Sequence, residues 1–255
     1  MSDNHYYGCC ACIGSAGNGL IPKMAMLATH DGYAMNLFIS GSIKVKTQSG
    51  SVAEFDVKTD YPKSGRIDIS VNADSEFTLY IRNPHWSKNT EVLVNGTPIE
   101  VCDGYIKISR LWKNGDTVEL SLDMRTKAVY PVEYGHEILM NKVIWGHNYM
   151  VSTYDEQDPE AMCHIALTRG PIVLAQDSRI GYSVDEPSDI AVGDDGYVDV
   201  LMSDTDSVPY PHILEVDVPL KNGGYMTVSD YASAGKLWSE ESKMAAWIKV
   251  KRQGM

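Results

Sequence analysis

From Tyr33 onward, apolar and polar residues alternate with a period of two, in short runs broken by turn residues. Ile67, Ile69 and Val71 alternate with Asp68, Ser70 and Asn72, and Phe77, Leu79 and Ile81 alternate with Thr78, Tyr80 and Arg82. Successive side chains of a β-strand point to opposite faces, so each run builds a sheet with one apolar and one wet face. Further strands are expected over 34–39, 42–48 and 51–59, the last two joined through Ser49-Gly50. Asn95-Gly96 between 91–94 and 97–101 is a strong short-range hairpin signal, because both residues tolerate the left-handed conformation that a tight hairpin turn needs. Segments 105–109 and 117–122 flank Asn114-Gly115-Asp116. Short strands at this spacing predict antiparallel sandwiches.

The second half reads similarly with longer interruptions. Strands are expected over 165–175, broken at Arg169-Gly170-Pro171, then over 212–220, 225–229 and 244–250, with Asn222-Gly223-Gly224 as a tight turn. Residues 134–162 read as a long loop with one short strand, and 183–206 as an acidic surface excursion. Before the first strand, Gly14-Ser15-Ala16-Gly17-Asn18-Gly19 reads as a turn. A short helix over about 19–29 follows, with Asn18 as N-cap, Pro22 in its first turn and Asp31-Gly32 at its end. The predicted fold is mainly β: two antiparallel β-sandwich domains of jelly-roll-like type preceded by a short N-terminal helix. The divisions fall at 1–31, 32–124 and 125–255.

The formal net charge of −12 argues against nucleic acid and against an anionic membrane surface, both of which need a basic footprint. No apolar run approaches the roughly 18 residues of a membrane span. The polar start Met1-Ser2-Asp3-Asn4-His5 lacks the pattern of a signal peptide. The chain therefore reads as cytoplasmic or as a piece of something longer. A neutral ligand such as a sugar is compatible with the charge.

Chemistry concentrates in His5-Tyr6-Tyr7-Gly8-Cys9-Cys10-Ala11-Cys12, which holds three of the five cysteines. An odd count at this size argues against a disulfide scaffold, so these are free or metal-bound thiols. Cysteine pairs also serve as small buried hydrophobes, so the motif leaves both readings open. His136-Glu137 and His147 lack the spacing of a zinc protease helix. The acidic run from Asp155 to Glu160 reads as a solvated loop, with calcium as its alternative. Trp86, Trp112, Trp145, Trp238 and Trp247 are core or edge packing first and sugar platforms second.

Several segments, in order, resemble glycoside hydrolase family 127, the β-L-arabinofuranosidase-like enzymes. They are Tyr7-Gly8-Cys9-Cys10, Thr59-Asp60-Tyr61-Pro62-Lys63-Ser64-Gly65 and Phe77-Thr78-Leu79-Tyr80-Ile81-Arg82-Asn83-Pro84-His85-Trp86. Gly104-Tyr105-Ile106-Lys107-Ile108, Trp112-Lys113-Asn114-Gly115-Asp116-Thr117-Val118, Ala166-Leu167-Thr168-Arg169-Gly170-Pro171-Ile172-Val173-Leu174 and Asp230-Tyr231-Ala232-Ser233-Ala234-Gly235 continue the series. The resemblance implies a helical catalytic barrel followed by two β-sandwiches, with 1–31 as the remnant of that barrel. It also implies Cys9 as the nucleophile of a retaining glycosidase and Cys10 as a zinc ligand, with the extra Cys12 as a further candidate ligand. Zinc would belong to the intact enzyme, with none required of this chain alone. The barrel's remaining ligands and its acid/base carboxylate have no counterpart here.

The expectation is thus a C-terminal part of such a hydrolase, inactive alone. Its partners would be an oligosaccharide or glycoside substrate and a separately encoded barrel, with a homo-oligomer compatible and neither nucleic acid nor membrane involved. For the parent enzyme the resemblance leaves a periplasmic or secreted location open. The alternative is a non-catalytic carbohydrate-binding or protein-interaction module.

Overall fold

The structure, a computed structural model, describes residues 8–131, 142–144, 147–149, 161–203, 210–234, 236–240 and 242–251. The side chains of 8–11, 142–144, 147–149 and 161 lie outside that description. The chain divides into two compact units, 1–123 and 124–255.

The first unit opens with α1 (Gly8–Ala25), followed by β1 (Met26–Ala28), β2 (Gly32–Met35), β3 (Gly41–Lys46), β4 (Val52–Thr59) and β5 (Arg66–Asn72). Then come β6 (Ser75–Asn83), β7 (Glu91–Val94), β8 (Thr97–Pro98), β9 (Gly104–Trp112) and β10 (Asp116–Ser121). They form a four-stranded sheet in the order β1-β2-β6-β9 and a six-stranded sheet in the order β3-β4-β5-β10-β7-β8. One core joins the two, so this unit is a sandwich. Met35, Leu79, Ile81 and Ile106 come from one sheet and Phe55, Ile67, Ile69 and Leu120 from the other, all fully buried or nearly so. Tyr33, Phe55 and Phe77 meet edge to face between the sheets, with centroids 5.6 to 6.3 Å apart. Fully buried Trp112 stacks on Phe77 and donates its indole N–H to the Phe77 carbonyl at 3.0 Å, so its one polar atom is satisfied.

One strand pair departs from the antiparallel expectation. β2 runs parallel to β6, with Gly32 opposite Thr78. A Cβ at Gly32 would fall 1.9 Å from the Thr78 carbonyl oxygen, so only glycine fits that approach. The Asn95-Gly96 hairpin is present, with both residues at positive φ (51° and 74°), as a type I′ turn requires. The Asn95 side chain holds the neighbouring strand: its amide donates to Asp116 Oδ1 and its oxygen accepts from the Thr117 N–H, both at 2.8 Å.

The N-terminal helix also differs from expectation. It covers 8–25, including the glycines read as a turn, and gives way to β1 where a helix was expected to continue. Pairing decides the end of the helix: Met26, Leu27 and Ala28 ladder with Met35, Ala34 and Tyr33, and Thr29 N–H closes the turn on Gly32 O at 2.9 Å. Backbone bonds to a sheet strand outweigh the weak helical preference of these few residues.

The second unit contains β11 (Thr126–Val129), β12 (Lys142–Ile144), β13 (His147–Tyr149), β14 (His164–Arg169), β15 (Ile172–Asp177) and β16 (Tyr197–Val198). It continues with β17 (Leu201–Met202), β18 (Glu215–Pro219), β19 (Tyr225–Asp230), β20 (Met244–Ala245) and β21 (Trp247–Lys249). β12 and β13 pair with each other; the other nine strands form one hydrogen-bonded network. β14 and β15 pair at their turn, at Thr168–Val173 and Arg169–Ile172, and then diverge. The last strands fill the gap, β21 on β14 and β20 on β15. Leu167, Leu174, Val216, Val218, Met226, Val228 and Ile248 converge on a core of their own.

Candidate functional site

The three clustered cysteines lie in the first turns of α1. A helix brings positions three, four and seven apart onto one face. Position 9 therefore shares a stripe with Cys12, Ile13, Ala16, Leu20 and Met24. Position 10 begins the adjoining stripe with Gly14, Gly17 and Ile21. Every described side chain of the helix from Cys12 to Met24 is exposed; Ile13 is 72% and Leu20 51% accessible. Only Ala25, at the junction with the sandwich, is buried. The helix is also a poor one intrinsically. Three internal glycines each cost roughly 1 kcal/mol relative to alanine, and Pro22 interrupts its last turns. A helix of this composition takes its stability from packing, and among the described residues its apolar stripe stays exposed.

Cys12 is exposed and its thiol is free. The Cys9 and Cys10 side chains lie outside the described residues, as do His5, His136, Trp145 and the acidic run 155–160; of His147 only the backbone is described. A structural zinc site takes four ligands in a tetrahedron. Among the described residues no group of three or more His, Cys, Asp or Glu side chains could hold a metal. The described part of the motif contributes Cys12 alone and does not by itself fit a zinc shell. Cys102 is exposed and directs its thiol to the Tyr105 carbonyl at 3.2 Å, away from any such cluster.

The tryptophans separate by role. Trp112 is core, Trp86 packs against the same core, and Trp238 and Trp247 are 50% and 39% accessible. Trp238 caps a charged cluster that the sequence reading missed. Asp177 is fully buried and accepts at Oδ1 from the Arg179 backbone N–H and Nε, each at 2.9 Å. Its Oδ2 accepts from Arg179 Nη2 and from the Tyr210 hydroxyl at 2.9 Å. The guanidinium stacks 4.5 Å from the Tyr210 ring centroid and 5.5 Å from that of Trp238, and Nη1 donates to the carbonyls of Lys236 and Leu237. Burial pushes the Asp177 carboxyl up, but the Arg179 and Tyr210 hydrogen bonds outweigh it and hold it below the ordinary carboxylate range. All four carboxylate contacts are filled from within the protein, so the cluster is a latch on the 236–238 loop. Asp-x-Arg is too common a spacing to have signalled it.

Residues 32–124 match the family model described as the middle domain of the GH127 β-L-arabinofuranosidases. No curated protein matches the sequence. Among solved structures, a GH127 β-L-arabinofuranosidase from Geobacillus stearothermophilus T6 superposes with a TM-score of 0.66 at 19% identity, over 95% of this chain and 38% of its own. A protein described as a glycoside hydrolase gives 0.65 at 19% identity, over 98% of this chain and 41% of its own. A second GH127 β-arabinofuranosidase gives 0.64 at 20% identity, over 95% of this chain and 39% of its own. The chain therefore spans about two fifths of the length of these structures. The first sandwich thus matches the GH127 middle domain in sequence, and nearly the whole length of the chain shares the fold of these structures.

Proposed function

We propose that this chain is the β-sandwich portion of a retaining, cysteine- and zinc-dependent hydrolase of β-L-arabinofuranosides, and that it is catalytically inert without a helical catalytic domain. The observation that carries this reading is α1. An exposed apolar stripe on an intrinsically weak helix fits docking against a helical neighbour, and positions 9 and 12 lie at one end of that stripe. The match of the following residues to a middle domain supports the same order of parts.

In the assembled enzyme Cys9 would be the nucleophile. A thiol has an ordinary pKa near 8.5, and its thiolate is the attacking species. The Cys9 sulfur would bond to the anomeric carbon as the glycosidic bond breaks, while a carboxylic acid of the helical domain protonates the leaving oxygen. Water, deprotonated by the same carboxylate, would then displace the sulfur and restore the thiolate. Cys10 and Cys12 would contribute thiolates to a zinc ion whose remaining ligands come from outside the described residues. Bound there, zinc would hold neighbouring thiols deprotonated.

The test is reconstitution. The purified chain is expected to release no aryl alcohol from an aryl β-L-arabinofuranoside. Co-expressed with the helical domain of a GH127 relative, it is expected to do so, and Cys9→Ala should abolish the activity. Turnover by the chain alone, lost on Cys9→Ala, would overturn the dependence on a second domain. Turnover in the co-expressed pair that survives Cys9→Ala would overturn the nucleophile.

A further inference from the structure

At one end of the six-stranded sheet lies an open polar cleft of about 450 Å³, lined by Ser40, Lys58, Thr59, Asp60, Ser64, Arg66 and Asp68. Its framework is tied together by hydrogen bonds. Ser40 Oγ donates to the Thr59 carbonyl at 2.6 Å and accepts from the Thr59 N–H at 2.9 Å. Thr59 Oγ1 donates to the Arg66 carbonyl at 2.7 Å, which ties the end of β4 to the start of β5. Arg66 is pinned between two carboxylates, with Nη2 at 2.8 Å from Asp68 and 2.7 Å from Glu119.

Two charges in this frame are not used. The Lys58 ammonium and the Asp60 carboxylate make no hydrogen bond or ion pair among the described residues, although both face the same cleft. Both residues are exposed, so their charges are open to a ligand entering the cleft. The lining carries two cations, Lys58 and Arg66, and two anions, Asp60 and Asp68, so it favours neither an anion nor a cation. The remaining polar groups are hydroxyls. A polar lining without net charge, with one free cation and one free anion among the described residues, complements a neutral ligand that is itself dense in hydroxyls, each of which both donates and accepts.

We propose that this cleft binds a neutral oligosaccharide, with the Asp60 carboxylate and the Lys58 ammonium engaging vicinal hydroxyls of one sugar unit. It would be an accessory glycan site on the first sandwich, independent of the cysteine motif. The glycoside hydrolase reading supplies only the class of ligand.

Native gel electrophoresis of the full chain through soluble polysaccharide tests it. Arabinan, arabinoxylan or a β-glucan is expected to retard the wild-type chain. Asp60→Ala should weaken the retardation constant about tenfold, the loss of one charge-assisted hydrogen bond. Lys58→Met should do likewise, and it covers the case in which Asp60→Ala fails to fold. Asp103→Ala, which makes the same change of charge on another loop, should leave retardation unchanged. The proposal falls if none of these polysaccharides retards the wild-type chain, or if only polyanionic homogalacturonan does. Undiminished retardation of both cleft variants overturns it equally. Hydrolysis by the co-expressed pair without gel retardation would remove the cleft alone, whereas retardation without hydrolysis would leave the cleft standing and remove the catalytic reading.

Discussion

Gly32 and Asp177 show how single positions carry the two units. Gly32→Ala places a methyl group against a backbone oxygen that cannot rotate away. The cost should reach or exceed the upper end of the roughly 1–3 kcal/mol seen for overpacked cores, measured as a fall in urea midpoint at constant slope. Asp177→Ala leaves Arg179 without its carboxylate and should cost about 3–5 kcal/mol, the range for breaking a buried pair from one side. The same residue sets an acid sensitivity. Its folded pKa is depressed, so its contribution is present above the ordinary carboxylate value of about 3.9 and is lost as pH falls through the lower folded value. Wild-type stability should drop over that acid window, and Asp177→Asn should flatten that part of the pH profile in equilibrium melts. Neither residue is conspicuous in the sequence. Gly32 reads as the end of a helix, and Asp177 lies just beyond an expected strand, because Thr78 and Tyr210, which help to constrain them, lie far along the chain.

Among the elements, α1 departs most from expectation and bears most directly on the proposed function. Local signals argued against a helix at 14–19, since glycine lowers helix propensity there. The strands were far more legible. The alternation at 67–71 and 77–81, the turn at Asn95-Gly96 and the break at Arg169-Gly170-Pro171 all mark elements that the structure contains. They are legible because a half-buried strand writes its burial pattern every second residue. Leu20 separates the helix's own stability from its role. Leu20→Asp lies on an exposed face and should shift the stability of this chain by no more than about 0.5 kcal/mol in denaturant melts. The same substitution should abolish co-purification with the helical domain, since a charge would then face a buried apolar contact. An unchanged yield of complex would show that the stripe is not the seam.

Among the described residues each unit has a core of its own, and the first is built from residues of its own unit. A chain limited to residues 32–123 is expected to fold on its own, with a single cooperative thermal transition and a near-ultraviolet signal from Trp112 packed on Phe77. At this scale the sequence by itself determined the class of the fold, the two-layer character of the first unit's strands, the acidic charge and the position of the thiols, because periodicity, turn chemistry and composition are local properties. Tertiary structure alone decided that β2 runs parallel to β6, that the last strands fill the gap between β14 and β15, and that Asp177 closes a latch on a distant loop. It also decided that the cysteine helix presents its apolar stripe outward, beside a sandwich whose own core is complete. Each of these depends on pairing between residues far apart in the chain, where the gain comes from a partner's backbone or charge that no local pattern records.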